Sequence, residues 1–187
     1  MTPLLEAARN LENDLNARRL RFCMIGGLAV LRWGEPRLTR NIDVTVLCGF
    51  GDEASVLEPL LNAGYRARIS DAVAFARRNR VLLLQSSCGL PIDVALGALP
   101  YEEIMVERSS LFEFAPDCAL RTCSAEDLIV LKLFASRPRD VLDAETVVVR
   151  QRGALDWPYI ERNLLPLSQA KEQPEIMDTL ARLRRAL

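Results

Sequence analysis

Asp43 stands two residues after Asn41 in the segment Asn-Ile-Asp-Val-Thr-Val-Leu, and Asp93 stands in a second apolar segment, Leu-Pro-Ile-Asp-Val-Ala-Leu. Two alternating carboxylates at the end of a strand would make a divalent-cation site. Here an amide holds the first of the two places, so Asp43 must find partners elsewhere in the chain. No histidine occurs in the sequence. That absence excludes Ser-His-Asp and Cys-His catalysis and any histidine-ligated metal, and leaves carboxylates, Lys, Arg, backbone amides and a hard metal as the available chemistry. Of the 24 basic side chains only Lys132 and Lys171 are lysine. Lys132, set among apolar residues, is therefore an unusual choice.

The elements that must position these groups are mixed helices and strands. Leu4, Leu5, Ala8, Leu11, Leu15 and Leu20 are spaced for an amphipathic helix, followed by a short apolar strand over 21–25 that ends at Gly26-Gly27 and by a helix over 28–33. Residues 41–47 alternate as a strand, with Asn41, Asp43 and Thr45 on one face and Ile42, Val44 and Val46 on the other. A helix over 52–63 is stopped by Gly64. Strands are expected over 72–78, 80–85 and 90–96, with a turn at 86–89; antiparallel pairing of the last two places Asp93 near the centre of the sheet. Segments 109–114 and 118–122 add strands.

From Ser124 the pattern is helical. Ser124 followed by acidic residues resembles an N-cap, Pro138 suits a first helical position, and Trp157-Pro158 and Pro166 are expected to mark joints between the helices that run to the C-terminus. The reading divides the chain into an α/β core over 1–123 and a helical part over 124–187.

Half of the 187 residues are hydrophobic, enough for one domain with a real core. The net charge of −1 gives no global basic field, although Arg77, Arg78 and Arg80 form a local cluster best read as a solvated turn. No secretory signal and no membrane-length apolar run is seen, so a cytoplasmic protein without membrane partners is expected. The five cysteines form no Cys-x-x-Cys pair, which points to small buried thiols in a reducing compartment. Taken singly, the candidate residues have ordinary explanations: a tight turn at Gly26-Gly27, a surface strand residue at Asp43, a hairpin cap at Asp93, a snorkelling stem at Lys132.

In combination they resemble a known family. Gly26-Gly27 before a helix, Asn-Ile-Asp-Val with Asp43 on the next strand and Pro-Ile-Asp-Val with Asp93 on a later one follow the motif order of the DNA polymerase β-like nucleotidyltransferases. The block Glu-Asp-Leu-Ile-Val-Leu-Lys-Leu-Phe-Ala-Ser-Arg-Pro-Arg-Asp-Val-Leu-Asp-Ala-Glu resembles the signature of the AbiEii-like branch, with Lys132, Arg137 or Arg139, Asp140 and Asp143. The resemblance implies an α/β (α+β) fold, a polymerase β-like core whose mixed sheet is flanked by helices, with a helical C-terminal part.

It also implies a Mg²⁺-dependent transfer of a nucleotide from an NTP to an acceptor hydroxyl on tRNA, a protein or a small molecule, in some relatives as a toxin held by an antitoxin. Asp43 and Asp93 would hold Mg²⁺ with Asn41 as a weak third ligand, since Mg²⁺ needs only one or two protein carboxylates. Gly26 and Gly27 would bring backbone N–H groups to the β- and γ-phosphates. Thr39 or Arg37 would add phosphate or substrate contacts, Lys132 or a nearby Arg would hold the triphosphate as a point charge, and Asp140 of the same signature would belong to the nucleotide-binding set. Asn41 departs from the family pattern. A working enzyme with fewer ligands, a degenerate nucleotide-binding or partner-binding module, and an Asp replaced to silence a toxic activity all accommodate it.

Overall fold

Residues 1–185 are described by a computed structural model. The chain divides into two compact units, one built from Met1–Leu28 and Leu38–Cys123, the other from Ala29–Arg37 and the chain from Ser124 onward.

The first unit is a seven-stranded mixed sheet with helices. It opens on α1 (Pro3–Ala17), whose start is set by Pro3 at the first helical position and by Thr2, whose hydroxyl accepts the Leu5 N–H at 3.3 Å. Ala7, Ala8, Leu11 and Leu15 form its buried stripe, and Leu20 falls beyond its end. Then come β1 (Phe22–Met24), α2 (Gly26–Trp33), β2 (Ile42–Leu47), α3 (Glu53–Asn62), β3 (Arg66–Ala67), α4 (Ala72–Asn79), β4 (Val81–Gln85), β5 (Pro91–Gly97), α5 (Pro100–Arg108), β6 (Ser110–Ala115) and β7 (Cys118–Thr122). The strand order is β3-β4-β5-β2-β1-β7-β6. At the centre, β2 runs parallel to β5 and antiparallel to β1, while β4 and β5 form the expected antiparallel hairpin.

Alternation explains why β2 and β5 sit in the middle. Ile42, Val44 and Val46 and, beside them, Ile92, Val94 and Leu96 are all buried, so the two strands share one fully apolar face. The opposite face carries Asp43 and Asp93, both half-buried. Asn41 lies one residue before β2 rather than within it.

Two further expectations are corrected. Residues 72–79 form a helix, not a strand: Asp71 accepts the Ala74 N–H at 3.2 Å as an N-cap, and Ala72 and Ala76, one turn apart, are the buried pair. Three alanines in this stretch favour a helix strongly, and their apparent alternation with Val73 and Phe75 carries little hydrophobic weight. Pro166 marks no joint, because α8 (Trp157–Ala170) runs through it with Ile160, Leu164 and Ser168 buried on one face. Packing along that face outweighs the hydrogen bond that proline removes.

The second unit is helical: part of α2, then α6 (Ala125–Ala135), α7 (Pro138–Arg150), α8 and α9 (Glu175–Arg185). Leu128, Ile129, Val130 and Leu133 are buried around α6, which accordingly meets α7, α8 and α9. Its N-terminus is capped as expected, Ser124 accepting the Asp127 N–H at 3.1 Å. Cys23, Cys48, Cys118 and Cys123 are buried thiols outside any disulfide; Cys88, on the β4–β5 turn, is exposed. Among the described residues no helix is long and apolar enough to cross a membrane.

Candidate active site

The parallel register of β2 and β5 pairs Asp43 directly with Asp93. Register partners on neighbouring strands point to the same face with their backbones about 4.8 Å apart, so the two carboxylates are side by side. Asp43 leans on the turn that opens α2. The Gly27 N–H donates to its Oδ2 at 3.4 Å, and the Ile25 N–H donates to its carbonyl at 2.9 Å. Gly26 has φ +54, and a Cβ there would stand 2.7 Å from both Cβ and Cγ of Asp43. A Cβ on Gly27 would stand 2.6 Å from Cβ of Thr39. Both glycines are thus required by close approach, one to the carboxylate and one to the threonine.

Thr39 and Asn41 are half-buried beside this turn, the Thr39 hydroxyl donating to the Asn41 carbonyl at 3.3 Å. The structure therefore brings Gly26, Gly27, Thr39 and Asp43 into contact and places Asp93 next to Asp43. Among the described residues no three His, Cys, Asp or Glu side chains converge where they could hold a metal. Two adjacent carboxylates nevertheless fit Mg²⁺, which fills its remaining positions with water and phosphate oxygens.

Sequence reasoning missed Arg68. Its guanidinium makes an ion pair with Oδ1 of Asp93, each side chain about one-third exposed. Arg68 follows a two-residue edge strand and reaches Asp93 only because its backbone N–H donates to Leu83, the register partner of Asp93, at 2.9 Å. Nothing local in the sequence marks that pairing.

Lys132, Asp140 and Arg37 belong to a separate cluster inside the helical unit. Lys132 is 8% exposed and places its ammonium 2.7 Å from Asp140 Oδ1 and 2.8 Å from Asp143 Oδ2. Arg37 donates to both oxygens of Asp143 at 2.6 Å, and Arg137 pairs with Asp140. Burial pushes both carboxylates upward, but the hydrogen bonds from Arg137 and Lys132 to Asp140, and from Arg37 and Lys132 to Asp143, outweigh it and hold both below the usual range. These are buried, charge-compensated groups that organise α6 and α7.

Residues 11–156 match the family described as nucleotidyl transferase AbiEii toxin, type IV TA system. The chain belongs to this AbiEii nucleotidyltransferase family. Its fold agrees with solved members of the wider nucleotidyltransferase group. ANT(2")-Ia in complex with adenylyl-2"-tobramycin has a TM-score of 0.58 at 15% identity, covering 91% of this chain and 99% of that one. An antigenic nucleotidyltransferase-like protein from Paracoccidioides brasiliensis has a TM-score of 0.55 at 13% identity, covering 95% and 92%. MenT4, a nucleotidyltransferase toxin from Mycobacterium tuberculosis H37Rv, has a TM-score of 0.52 at 18% identity, covering 86% of this chain and 62% of that one. No curated protein matches the sequence of this AbiEii family member. The fold is thus a polymerase β-like nucleotidyltransferase core with added helices, as the motif order implied.

Proposed function

We propose that this AbiEii family member transfers a nucleotide from an NTP to an acceptor hydroxyl, with Mg²⁺ as cofactor and Asp43 and Asp93 as the protein carboxylates that hold it. The observation that carries the reading is the in-register placement of Asp43 beside Asp93 on the face of the sheet that meets Gly26-Gly27. When bound, Mg²⁺ supplies the charge neutralisation that a triphosphate requires before an oxygen can attack its α-phosphorus. Asp43 and Asp93 supply the negative charge that retains the cation. The first N–H groups of α2, at the positive end of the helix, are the donors offered to phosphate oxygens, the Gly27 N–H by giving up its 3.4 Å contact to Asp43, and Thr39, on the segment before β2 and packed against Gly27, adds a hydroxyl.

Such a site accelerates transfer by orientation and charge. Asn41 contributes an amide oxygen in place of a third negative charge. Lys132, Arg37 and Asp140 enter the proposal as the second charged cluster, with the Lys132 ammonium, two of whose three donors face Asp140 and Asp143, as the point charge for the triphosphate. The acceptor is a hydroxyl on tRNA, a protein or a small molecule; membership of a toxin family supports a cytoplasmic toxin restrained by an antitoxin protein.

Asn41 favours a second reading, a nucleotide-binding module that has lost transfer. Calorimetry with ATP, CTP, GTP and UTP, each with Mg²⁺, is expected to show binding of at least one that Asp43→Ala abolishes. Binding indifferent to both Mg²⁺ and Asp43 puts the nucleotide site elsewhere and overturns the site assigned to Asp43 and Asp93. Transfer from a radiolabelled NTP to bulk tRNA or protein separates the enzyme from the binder.

A further inference from the structure

We propose that Arg68 is a built-in counter-ion for Asp93, holding this carboxylate when no divalent cation is bound and competing with the cation for it. The inference rests on Asp43 and Asp93 being the cation-binding carboxylates.

Four register positions in a row carry the argument. Arg68 stands opposite Leu83, Leu83 opposite Asp93, and Asp93 opposite Asp43, so all four side chains share one face of the sheet. The guanidinium therefore spans the β4 position to reach Asp93 Oδ1, while Asp43 is held from the other side by the Gly27 N–H. Two carboxylates side by side repel each other. With Asn41 neutral, one cationic side chain on Asp93 leaves this row with a single net negative charge.

Two other arginines, Arg80 and Arg37, show what a multiply bonded structural guanidinium looks like here. Arg80 binds Glu53 at 2.6 Å and also the carbonyl oxygens of Cys48 and Leu96. Arg37 grips both oxygens of an almost fully buried Asp143. Arg68 instead pairs through one nitrogen with a carboxylate that, like itself, remains about one-third exposed. Exposed, single-contact pairs contribute little net stability and are readily exchanged. Arg68 also lies just past an edge strand of two residues, outside the regular hydrogen-bond ladder of the sheet. The arrangement holds Asp93 in place for a cation and makes the cation displace a positive charge in order to bind.

Direct Mn²⁺ binding to the full chain, followed by electron paramagnetic resonance and by the Mn²⁺-induced rise in Tm, tests this. Arg68→Gln is expected to bind Mn²⁺ about 5-fold tighter, the upper end for releasing an exposed pair, and to show a larger metal-induced rise in Tm. Arg68→Lys, which keeps the charge, is expected to stay near wild type, and adding Asp93→Asn to Arg68→Gln is expected to erase the gain. A merely structural Arg68 would lower the metal-free Tm without raising metal affinity. Equal or weaker Mn²⁺ binding by Arg68→Gln, with wild-type binding still abolished by Asp43→Ala, overturns the counter-ion role alone. Absence of Asp43-dependent Mn²⁺ binding in both wild type and Arg68→Gln overturns it together with the cation site on which it rests.

Discussion

Gly26 and Asp43 are packed so closely that a single methyl group cannot be placed between them: a Cβ on Gly26 would lie 2.7 Å from Cγ of Asp43, and Gly26 already has φ +54. Gly26→Ala is therefore expected to cost about 1–2 kcal/mol from the left-handed backbone alone, and to push the Asp43 carboxylate out of register with Asp93. Urea denaturation checks the stability loss, and calorimetry checks the accompanying loss of Mg²⁺-dependent NTP binding. A variant that keeps wild-type nucleotide affinity would separate the turn from the site.

Lys132 is a test of the helical unit. Lys132→Met leaves Asp140 and Asp143 with one arginine each, Arg137 and Arg37. Breaking a buried charge cluster in this way is expected to cost about 3 kcal/mol, the low end for a lost partner because those arginines remain. The sign of the pH dependence follows from the lowered carboxylates. Their stabilisation is complete above the ordinary aspartate value of 3.8 and is lost as pH falls below it through the lowered folded-state values. Wild type should therefore lose stability steeply below about pH 4, and Lys132→Met should show a shallower acid limb, read from melting curves between neutral pH and strong acid.

How far the sequence discloses this molecule depends on whether the signal is local. The alternation of Ile42, Val44 and Val46 around Asp43, and of Ile92 and Val94 around Asp93, is local, and the residue pattern by itself assigns both carboxylates to the non-core face. Their side-by-side register is not local; it follows from β5 pairing with β2 after two intervening helices and a hairpin. Arg68 is hidden for the same reason, since its position is set by a hydrogen bond to Leu83 across a strand too short to show periodicity. Lys132 stands out by rarity and by its place in the signature block. Its partners lie on the next helix, and only the packing of α7 on α6 turns an unusual lysine into a buried ion pair. The short helix α5 lacks an amphipathic stripe, with Met105 and Val106 as its buried residues, and leaves no periodic trace to read.

Tyr159 and Asp127 join α8 to α6 through the phenol, which donates to Asp127 Oδ1 at 2.6 Å, while the Ser124 hydroxyl donates to Oδ2 at 2.7 Å. Asp127 is fully buried. Tyr159→Phe is expected to destabilise by about 1.5–3 kcal/mol, the range for a hydrogen bond to a charged group, and Ser124→Ala by about 1 kcal/mol as a lost N-cap. Both act on one carboxylate, so the double variant should depart from additivity. A chemical-denaturation double-mutant cycle measures that coupling, and simple addition would mean that Asp127 adjusts independently to each loss.

Asn41 holds the amide that an Asp-x-Asp pair would replace with charge, one residue ahead of β2 and with its carbonyl already accepting the Thr39 hydroxyl at 3.3 Å. If the extended backbone carries on by one residue, its side chain falls on the Asp43 face, because residues two apart in a strand point the same way. Asn41→Asp then adds a second acidic ligand to the strand. Affinity for Mg²⁺–NTP should rise by roughly tenfold, since cation sites tighten with ligand charge, and transfer from a radiolabelled NTP should appear or increase. Without Mg²⁺ the new carboxylate repels Asp43, costing about 1 kcal/mol in a solvated setting. Mg²⁺ should restore that loss, so the difference in Tm with and without the cation widens in the variant. The two effects have opposite signs and one cause, which makes the pair decisive. Unchanged metal affinity, transfer and metal-dependent Tm together would place position 41 outside any cation site and leave Asp43 and Asp93 as the whole of its acidic complement.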